Sequence, residues 1–168
     1  GNKREGDVNQ LIQYEKKYNY KIIKPKPLKK KSKIISSTYV RKLLIDGKIE
    51  FVNKLLKRNW SIEGLVEKGR QMGKVIGFPT CNINLSDYVL AKPGVYAVKI
   101  YLKNKNFSLR GIANLGYRPT FKQKKILLEV NIFNFSRNLY NKKLTVEFIK
   151  FIRGEKKFKG MDQLKKQI

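Results

Sequence analysis

Five short segments between Trp60 and Ile152 most constrain the fold of this chain. Each is rich in β-branched or aromatic residues and bounded by Gly, Pro or Asn, which is typical of strands joined by turns. They are SIEGLVEKG, GVYAVKIYL, FSLRGIANLG, ILLEVNIFNF and KLTVEFIKFI. Five or six strands at this spacing predict a mainly β structure, a closed antiparallel barrel. The tail GMDQLKKQI predicts a helix that begins near Met161.

Residues 1–58 have a different sequence pattern, which predicts helices with one short strand. DVNQLIQYEKKYN has apolar residues near helical spacing, with Asp7 available as N-cap. The short strand is expected at Lys21 to Ile23, and the lysine-rich KPKPLKKKSK run after it is expected to be a loop.

Two further helices are expected before the strands begin. Ser36 or Ser37 can cap a helix that ends at Gly47, and a second helix is expected over residues 50–58. The change from helical to strand-like sequence after this helix predicts a domain boundary, which gives domains 1–58 and 59–168.

The chain is strongly basic. Its formal net charge is +27, from 39 basic and 12 acidic residues. This charge favours anionic partners such as nucleotides, nucleic acid or an acidic membrane surface. Lysine greatly outnumbers arginine and is spread along the chain, which indicates compositional drift on a solvated surface. We therefore favour a nucleotide site over nucleic acid, and keep a basic β-barrel that binds nucleic acid as the alternative.

The scarcity of cysteine and the absence of histidine limit the possible catalytic chemistry and the cellular compartment of the protein. Cys81 is the single cysteine, so an internal disulfide is excluded and a reducing compartment is favoured. No apolar run approaches the roughly 20 residues of a transmembrane helix. We expect a cytoplasmic protein with no membrane partner; the sequence does not set its oligomeric state. Histidine is absent and so cannot be a catalytic group or a metal ligand.

The stretch GKVIGFPTCNINL, residues 73–85, is the first candidate site. Gly69, Gly73 and Gly77 let a backbone approach phosphates, and Lys74 adds a positive charge, although loops between strands are often glycine-rich. Thr80 and Asn82 lie two residues apart, so their side-chain oxygens share a face if the segment is extended. Neutral oxygens can complete the shell of Mg²⁺ when ATP supplies the negative charge. A turn cap and a backbone hydrogen bond are equally compatible with these residue types.

Glu129 is the second candidate, within the apolar segment ILLEVNIF. Burying an acid is costly unless it is paired or functional. At a barrel mouth it could accept a proton from a substrate hydroxyl. An acid on an exposed strand face is the equally compatible alternative.

The third candidate is the helix start SSTYVR. Its residues Ser36, Ser37, Thr38 and Arg41 place hydroxyls, free N–H groups and a positive charge where an anion is favoured. Simple helix capping explains the same residues equally well.

The ordered motifs of this chain resemble the riboflavin kinase family. They run from Gly69 to Ile83, then GVY, GIANLGYRPTF, LEVNIFNF, LYNKKL and IRGEKKF, over about residues 60–168. GFPTCN resembles the family's PTAN signature. In residues 1–58, GNKREGDVNQL and ISSTYVR resemble the end of the adenylyltransferase domain of bifunctional riboflavin kinase/FMN adenylyltransferases.

The resemblance implies a six-stranded Greek-key barrel with a C-terminal helix, preceded by a mostly helical remnant of an α/β nucleotidyltransferase domain. It implies transfer of the γ-phosphate of ATP to the 5′-hydroxyl of riboflavin, giving FMN and ADP. Thr80 and Asn82 would bind Mg²⁺ and phosphate, Glu129 would be the general base, and the loop from Gly69 to Gly77 would cover the nucleotide. Ser36, Ser37, Thr38 and Arg41 match the adenylyltransferase ATP site.

Several positions depart from the family pattern. Cys81 replaces an alanine, Met72 and Lys74 replace arginines, and Asn131 and Asn134 stand where His and Asp are frequent. The adenylyltransferase HxGH motif is missing, since the chain has no histidine. We therefore do not expect this chain alone to make FAD.

Overall fold

The structure is a computed structural model that describes residues 7–30, 32–69, 77–85, 91–103, 107–119, 124–156 and 163, with the backbone alone at 118–119 and 124–125. Three helices and eight strands lie in these ranges: α1 Val8–Tyr18, β1 Lys29–Lys30, β2 Lys33–Ile34, α2 Ser37–Ile45, α3 Ile49–Leu56, β3 Trp60–Glu67, β4 Cys81–Asn84, β5 Gly94–Leu102, β6 Ser108–Pro119, β7 Lys124–Ile132 and β8 Lys143–Arg153. The helix predicted from Met161 lies outside the described residues, apart from Gln163.

The chain divides into two compact units, Gly1–Ile35 and Ser36–Ile168. Helices α2 and α3 fall in the second unit with strands β3 to β8. The boundary predicted between residues 58 and 59 separates two domain families and not two compact units. It stays a prediction.

In the first unit, Asp7 is the N-cap of α1, as predicted. The Asp7 carboxylate accepts a hydrogen bond from the backbone N–H of Gln10 (2.9 Å), and the Gln10 side chain accepts one from the Asp7 N–H, which completes a capping box. The strand predicted at Lys21 to Ile23 is wrong, because this segment has no paired strand and the Ile22 N–H donates to the Glu15 carboxylate instead.

The short strands of this unit lie further along the chain, since β1 begins six residues after the end of the predicted strand at Ile23. Lys29 pairs with Ile34 and Lys30 with Lys33, so the expectation of a loop throughout the KPKPLKKKSK run is wrong for its last residues. Ser32 lies in the left-handed region (φ 63°), which lets the chain turn back on itself. This turn brings β2 back alongside β1, and β-propensity alone does not predict such a pairing.

Helices α2 and α3 form close to their predicted bounds. The Ser36 hydroxyl caps α2 by accepting from the Tyr39 N–H (3.1 Å), and α2 ends just before Gly47, which has a positive φ of 77°. α3 buries Ile49, Val52 and Leu55 and packs on β8 and β3. The apolar face of α3 therefore packs on the barrel, and α2 is attached to the barrel through its contact with α3.

Six strands close into a barrel in the order β3-β4-β7-β6-β5-β8, and all neighbouring pairs are antiparallel. β5, β6 and β7 pair in sequence, and β8 returns to pair with β5, which is the connection of a Greek key. The expected mainly β, six-stranded Greek-key barrel is confirmed. β4, with four residues, is the strand with the weakest sequence signal.

Alternate residues of the six strands fill the barrel interior. These almost fully buried side chains include Ile62, Val66, Ile83, Tyr96, Ile100, Leu115, Leu128, Val130, Leu144, Val146 and Phe148. The Phe148 ring centroid lies 4.8 Å from that of Trp60 and 5.0 Å from that of Tyr96. Because the interior is filled by side chains, any ligand site of the barrel must lie on its outer face or at its ends.

The aromatic centre of the core gives a first prediction. Phe148→Ala should lower the free energy of unfolding by about 3–5 kcal/mol, because it removes a fully buried ring from a packed interior. Urea denaturation measures the effect. Phe133, which is 49% exposed, is the control: Phe133→Ala should stay within about 0.5 kcal/mol. Equal effects of the two changes would contradict this packing.

Candidate active site

A row of polar residues crosses four neighbouring strands on the outer face of the barrel. Glu67 pairs with Asn82, Asn82 with Glu129, and Glu129 with Asn114. Directly paired residues project to the same face of a sheet, with Cβ atoms about 4.5–5.5 Å apart. Their sequence neighbours, such as Ile83 and Leu128, point into the core, so the row points away from it. We call these four residues the polar row.

Asn82 is the most constrained member of the polar row. Its side chain is buried (8% exposed), yet its Oδ1 atom has no hydrogen-bond partner among the described residues. A buried polar atom left unpaired costs about 1–3 kcal/mol. An oxygen held in this way is a ready acceptor or a ready ligand for a hard cation.

Gly69 explains how Asn82 becomes buried. A Cβ atom at Gly69 would overlap the Asn82 amide, so the backbone at Gly69 lies directly against this side chain. The sequence singled out Gly69 for a close approach to phosphate. The structure shows a close approach to Asn82, and the phosphate role of Gly69 stays a prediction.

Glu129 lies half-buried in the polar row, between Asn82 and Asn114 on its two neighbouring strands. Both neighbours are uncharged amides. The predicted base and one predicted metal ligand are thus directly paired across two strands.

Thr80 and Gly77 belong to the segment that leads into β4. Thr80 is exposed and immediately precedes the strand, and Gly77 is exposed with a φ of 86°, in the left-handed region that favours glycine. The Asn131 side chain donates a hydrogen bond to the Pro79 carbonyl (2.8 Å), which connects this segment to β7.

Cys81 separates the two predicted ligands in sequence but faces the other way. It pairs with Val130 and shares the inner face with Ile83. Burial raises the pKa of the Cys81 thiol above its ordinary value, which favours the neutral form. A small neutral side chain is what the alanine usual at this position would supply.

Sequence reasoning missed the position of Glu155. In sequence, Glu155 is close to Arg153, and the two could form a surface ion pair of little net value. In the structure its carboxylate lies over Gly116, where a Cβ atom would collide with it. Gly116 is two residues from Asn114, so Glu155 borders the polar row. The IRGEKKF motif was the available signal, but spacing along the chain could not show which strand it reaches.

Other predicted residues do not join the polar row. Gly73 and Lys74 lie outside the described residues. Ser36, Ser37, Thr38 and Arg41 are exposed residues of the first turns of α2, where Ser36 is the N-cap. α2 contacts α3, which packs on β8 and β3, whereas Asn82 lies on β4. The nucleotide role of the α2 residues stays a prediction.

Comparison with known proteins agrees with the barrel fold. The sequence model of the flavokinase family, described as riboflavin kinase, matches residues 56–168. The chain belongs to the riboflavin kinase family. This confirms the resemblance read from the ordered motifs.

Curated relatives match along the whole chain. Bifunctional riboflavin kinase/FMN adenylyltransferases from Buchnera aphidicola and Haemophilus influenzae are 44% and 39% identical over 100% of this chain and 54% of their own length. The protein of that name from Escherichia coli is 36% identical over 98% of this chain and 52% of its own. The chain therefore spans about half the length of these relatives. None of their names favours the nucleic-acid alternative.

A solved structure supports the fold. A crystal structure described as a macrolide-efflux protein from Streptococcus pneumoniae superposes with a TM-score of 0.82 at 31% identity, over 97% of this chain and 52% of that one. In the part of the present chain that is described, no helix is long and apolar enough to cross a membrane.

The Gly69–Asn82 contact gives a second prediction. Gly69→Ala should lower the free energy of unfolding by about 1–3 kcal/mol, because the added methyl must displace the Asn82 amide. Gly154 is the matched control, since a Cβ there meets nothing within 4 Å of the described chain. Thermal or urea unfolding compares the two. A Gly69→Ala protein as stable as Gly154→Ala would contradict the close contact.

Proposed function

We propose that the polar row and the Thr80 segment form the active site of an ATP:riboflavin 5′-phosphotransferase. The observation that carries this proposal is the pairing of Asn82, whose buried oxygen lacks a partner in the described chain, with the carboxylate residue Glu129. Family membership supports the substrates: riboflavin and ATP enter, and FMN and ADP leave.

In this proposal Asn82 and Thr80 hold Mg²⁺ together with the phosphates of ATP. The fit rests on the Asn82 oxygen, which has no partner among the described residues, and on the exposed Thr80 hydroxyl; both are neutral oxygen ligands of the kind that Mg²⁺ accepts. When bound, the ion would neutralise phosphate charge. The two protein oxygens fix where the phosphates lie and contribute no charge of their own.

Glu129 acts as the general base. Its carboxylate accepts the proton of the riboflavin 5′-hydroxyl as that oxygen bonds to the γ-phosphorus, while the bond from this phosphorus to the β-phosphate oxygen breaks and ADP leaves. The pairing with Asn82 holds the base beside the phosphate ligands, so that positioning supplies much of the rate.

The second activity in the relatives' names is not assigned to this chain alone. FMN adenylyltransferase activity would need the HxGH motif, and the sequence contains no histidine. We propose that residues 1–58 are the C-terminal part of an adenylyltransferase domain, and that Ser36, Ser37, Thr38 and Arg41 belong to its ATP site. We place the kinase reaction in the cytoplasm, where ATP is available and Cys81 stays reduced.

Replacing the base gives the third prediction. Glu129→Gln should lower kcat for FMN formation by about 10²–10⁴-fold, because the amide cannot accept the hydroxyl proton. Nucleotide affinity should stay unchanged, since the carboxylate acts on riboflavin. The assay incubates the chain with riboflavin, ATP and Mg²⁺ and separates the flavins chromatographically.

The matched control is Glu63→Gln, on strand β3, which is separated from β7 by β4. Glu63 forms a surface ion pair with Lys143, an interaction that contributes little to stability, so turnover should not change. Near-normal turnover in Glu129→Gln would remove Glu129 from the base role. No FMN from the folded wild-type chain would overturn the proposed function itself.

A further inference from the structure

We propose that Asn131 is a positioning residue, which holds Thr80 in place through the carbonyl of Pro79. This inference rests on the proposed function for the role of Thr80. The observation that carries it is the hydrogen bond from Asn131 Nδ2 to the Pro79 oxygen (2.8 Å), made by a side chain that is only 8% exposed.

The register of β4 and β7 explains why a side chain is needed here. Cys81 pairs with Val130 and Asn82 with Glu129, so the next pair would be Thr80 with Asn131. β4 begins only at Cys81 instead, and Pro79, two residues before it, has no N–H to donate to a ladder. The Asn131 amide reaches the carbonyl that Pro79 still offers, and it extends the attachment beyond the last paired residue.

Packing does not fix this segment, because Pro79 and Thr80 are both exposed. Asn131, by contrast, is held in the barrel, since its strand also pairs with β6 at Ile112. Its buried amide would be costly to leave without a hydrogen bond. The bond therefore transfers the rigidity of the barrel to the exposed peptide that carries Thr80.

The arrangement links the base and the phosphate ligand through one strand. Asn131 and Glu129 are two residues apart on β7 and project to the same face. β7 thus sets the position of Glu129 directly and that of Thr80 through Asn131. Removing the Asn131 donor should loosen Thr80 while leaving Glu129 in place.

The test is a double-mutant cycle on kcat/KM for Mg·ATP. Asn131→Asp replaces the donor by an acceptor and should lower kcat/KM about ten- to hundredfold through misplacement of Thr80. Thr80→Val removes the hydroxyl. If Asn131 acts through Thr80, adding Asn131→Asp to Thr80→Val should cost almost nothing more. Multiplicative losses would overturn the proposal, as would an Asn131→Asp enzyme with wild-type kinetics.

Two further variants separate positioning from general stability. Asn53 donates to the Phe148 carbonyl with the same 2.8 Å length, between α3 and β8. Asn53→Asp should lower stability and leave kcat/KM for Mg·ATP unchanged. Asn131→His, whose ring N–H is a donor, should restore most of the activity. A loss in Asn53→Asp as large as in Asn131→Asp would assign the effect to stability and overturn the proposal.

Hydrogen exchange gives a readout that does not depend on activity. In Asn131→Asp, backbone amides of residues 80–82 should exchange faster than in the wild type, and in Asn53→Asp they should not. This comparison decides the role of Asn131 even if the wild-type chain forms no FMN, which would refute only the proposed function. If Asn131→Asp fails to fold, Asn131→Ser, too short to reach Pro79, replaces it. Loss of the fold in both would show a purely structural role and overturn the proposal.

Discussion

The antiparallel pairing of β4 with β7 is the constraint on which the rest of the site depends. It sets Asn82 opposite Glu129. Just beyond its last residue pair, the Asn131 side chain donates a hydrogen bond to the Pro79 carbonyl. A shift of one residue would turn every one of these side chains to the opposite face. The buried pair Ile83 and Leu128 opposes such a shift, because it would move two core residues to the outer face.

The barrel thereby separates stability from chemistry. Apolar residues fill its interior, while Asn82, Glu129 and Asn114 share the outer face of adjacent strands. The Asn82 oxygen has no hydrogen-bond partner in the described part of the chain, and a buried exception of this kind calls for a functional explanation. In the proposed function, a metal ion bound with nucleotide phosphates would supply one, since the missing partner would arrive with the substrate.

Much of the fold follows from local sequence signals. Asp7 and Ser36 cap helices where the sequence predicts them, and the five segments from Trp60 onward are strands. The failure at Lys21 to Ile23 has a simple cause, because a strand needs a partner and the turn at Ser32 supplied one elsewhere. β4 was not among the five predicted segments, because its four residues mix amides with apolar groups.

The candidate site could be predicted in part. Residue type and family motifs single out Thr80, Asn82 and Glu129, but their grouping needs the register, which is a long-range property of the barrel. The same reason hid two other features. Gly69 lies against the Asn82 amide, and Asn131 binds a carbonyl 52 residues away in sequence. Neither contact is encoded in a local pattern.

The most direct test of the account measures unfolding of Asn82→Leu with and without Mg·ADP. Leucine has a similar shape but no unpaired oxygen, so the ligand-free variant should be at least as stable as the wild type. A ligand that binds only the folded state raises stability, and Mg·ADP should do so for the wild type but not for Asn82→Leu. A folded Asn82→Leu protein that Mg·ADP stabilises as much as the wild type would contradict the central claim.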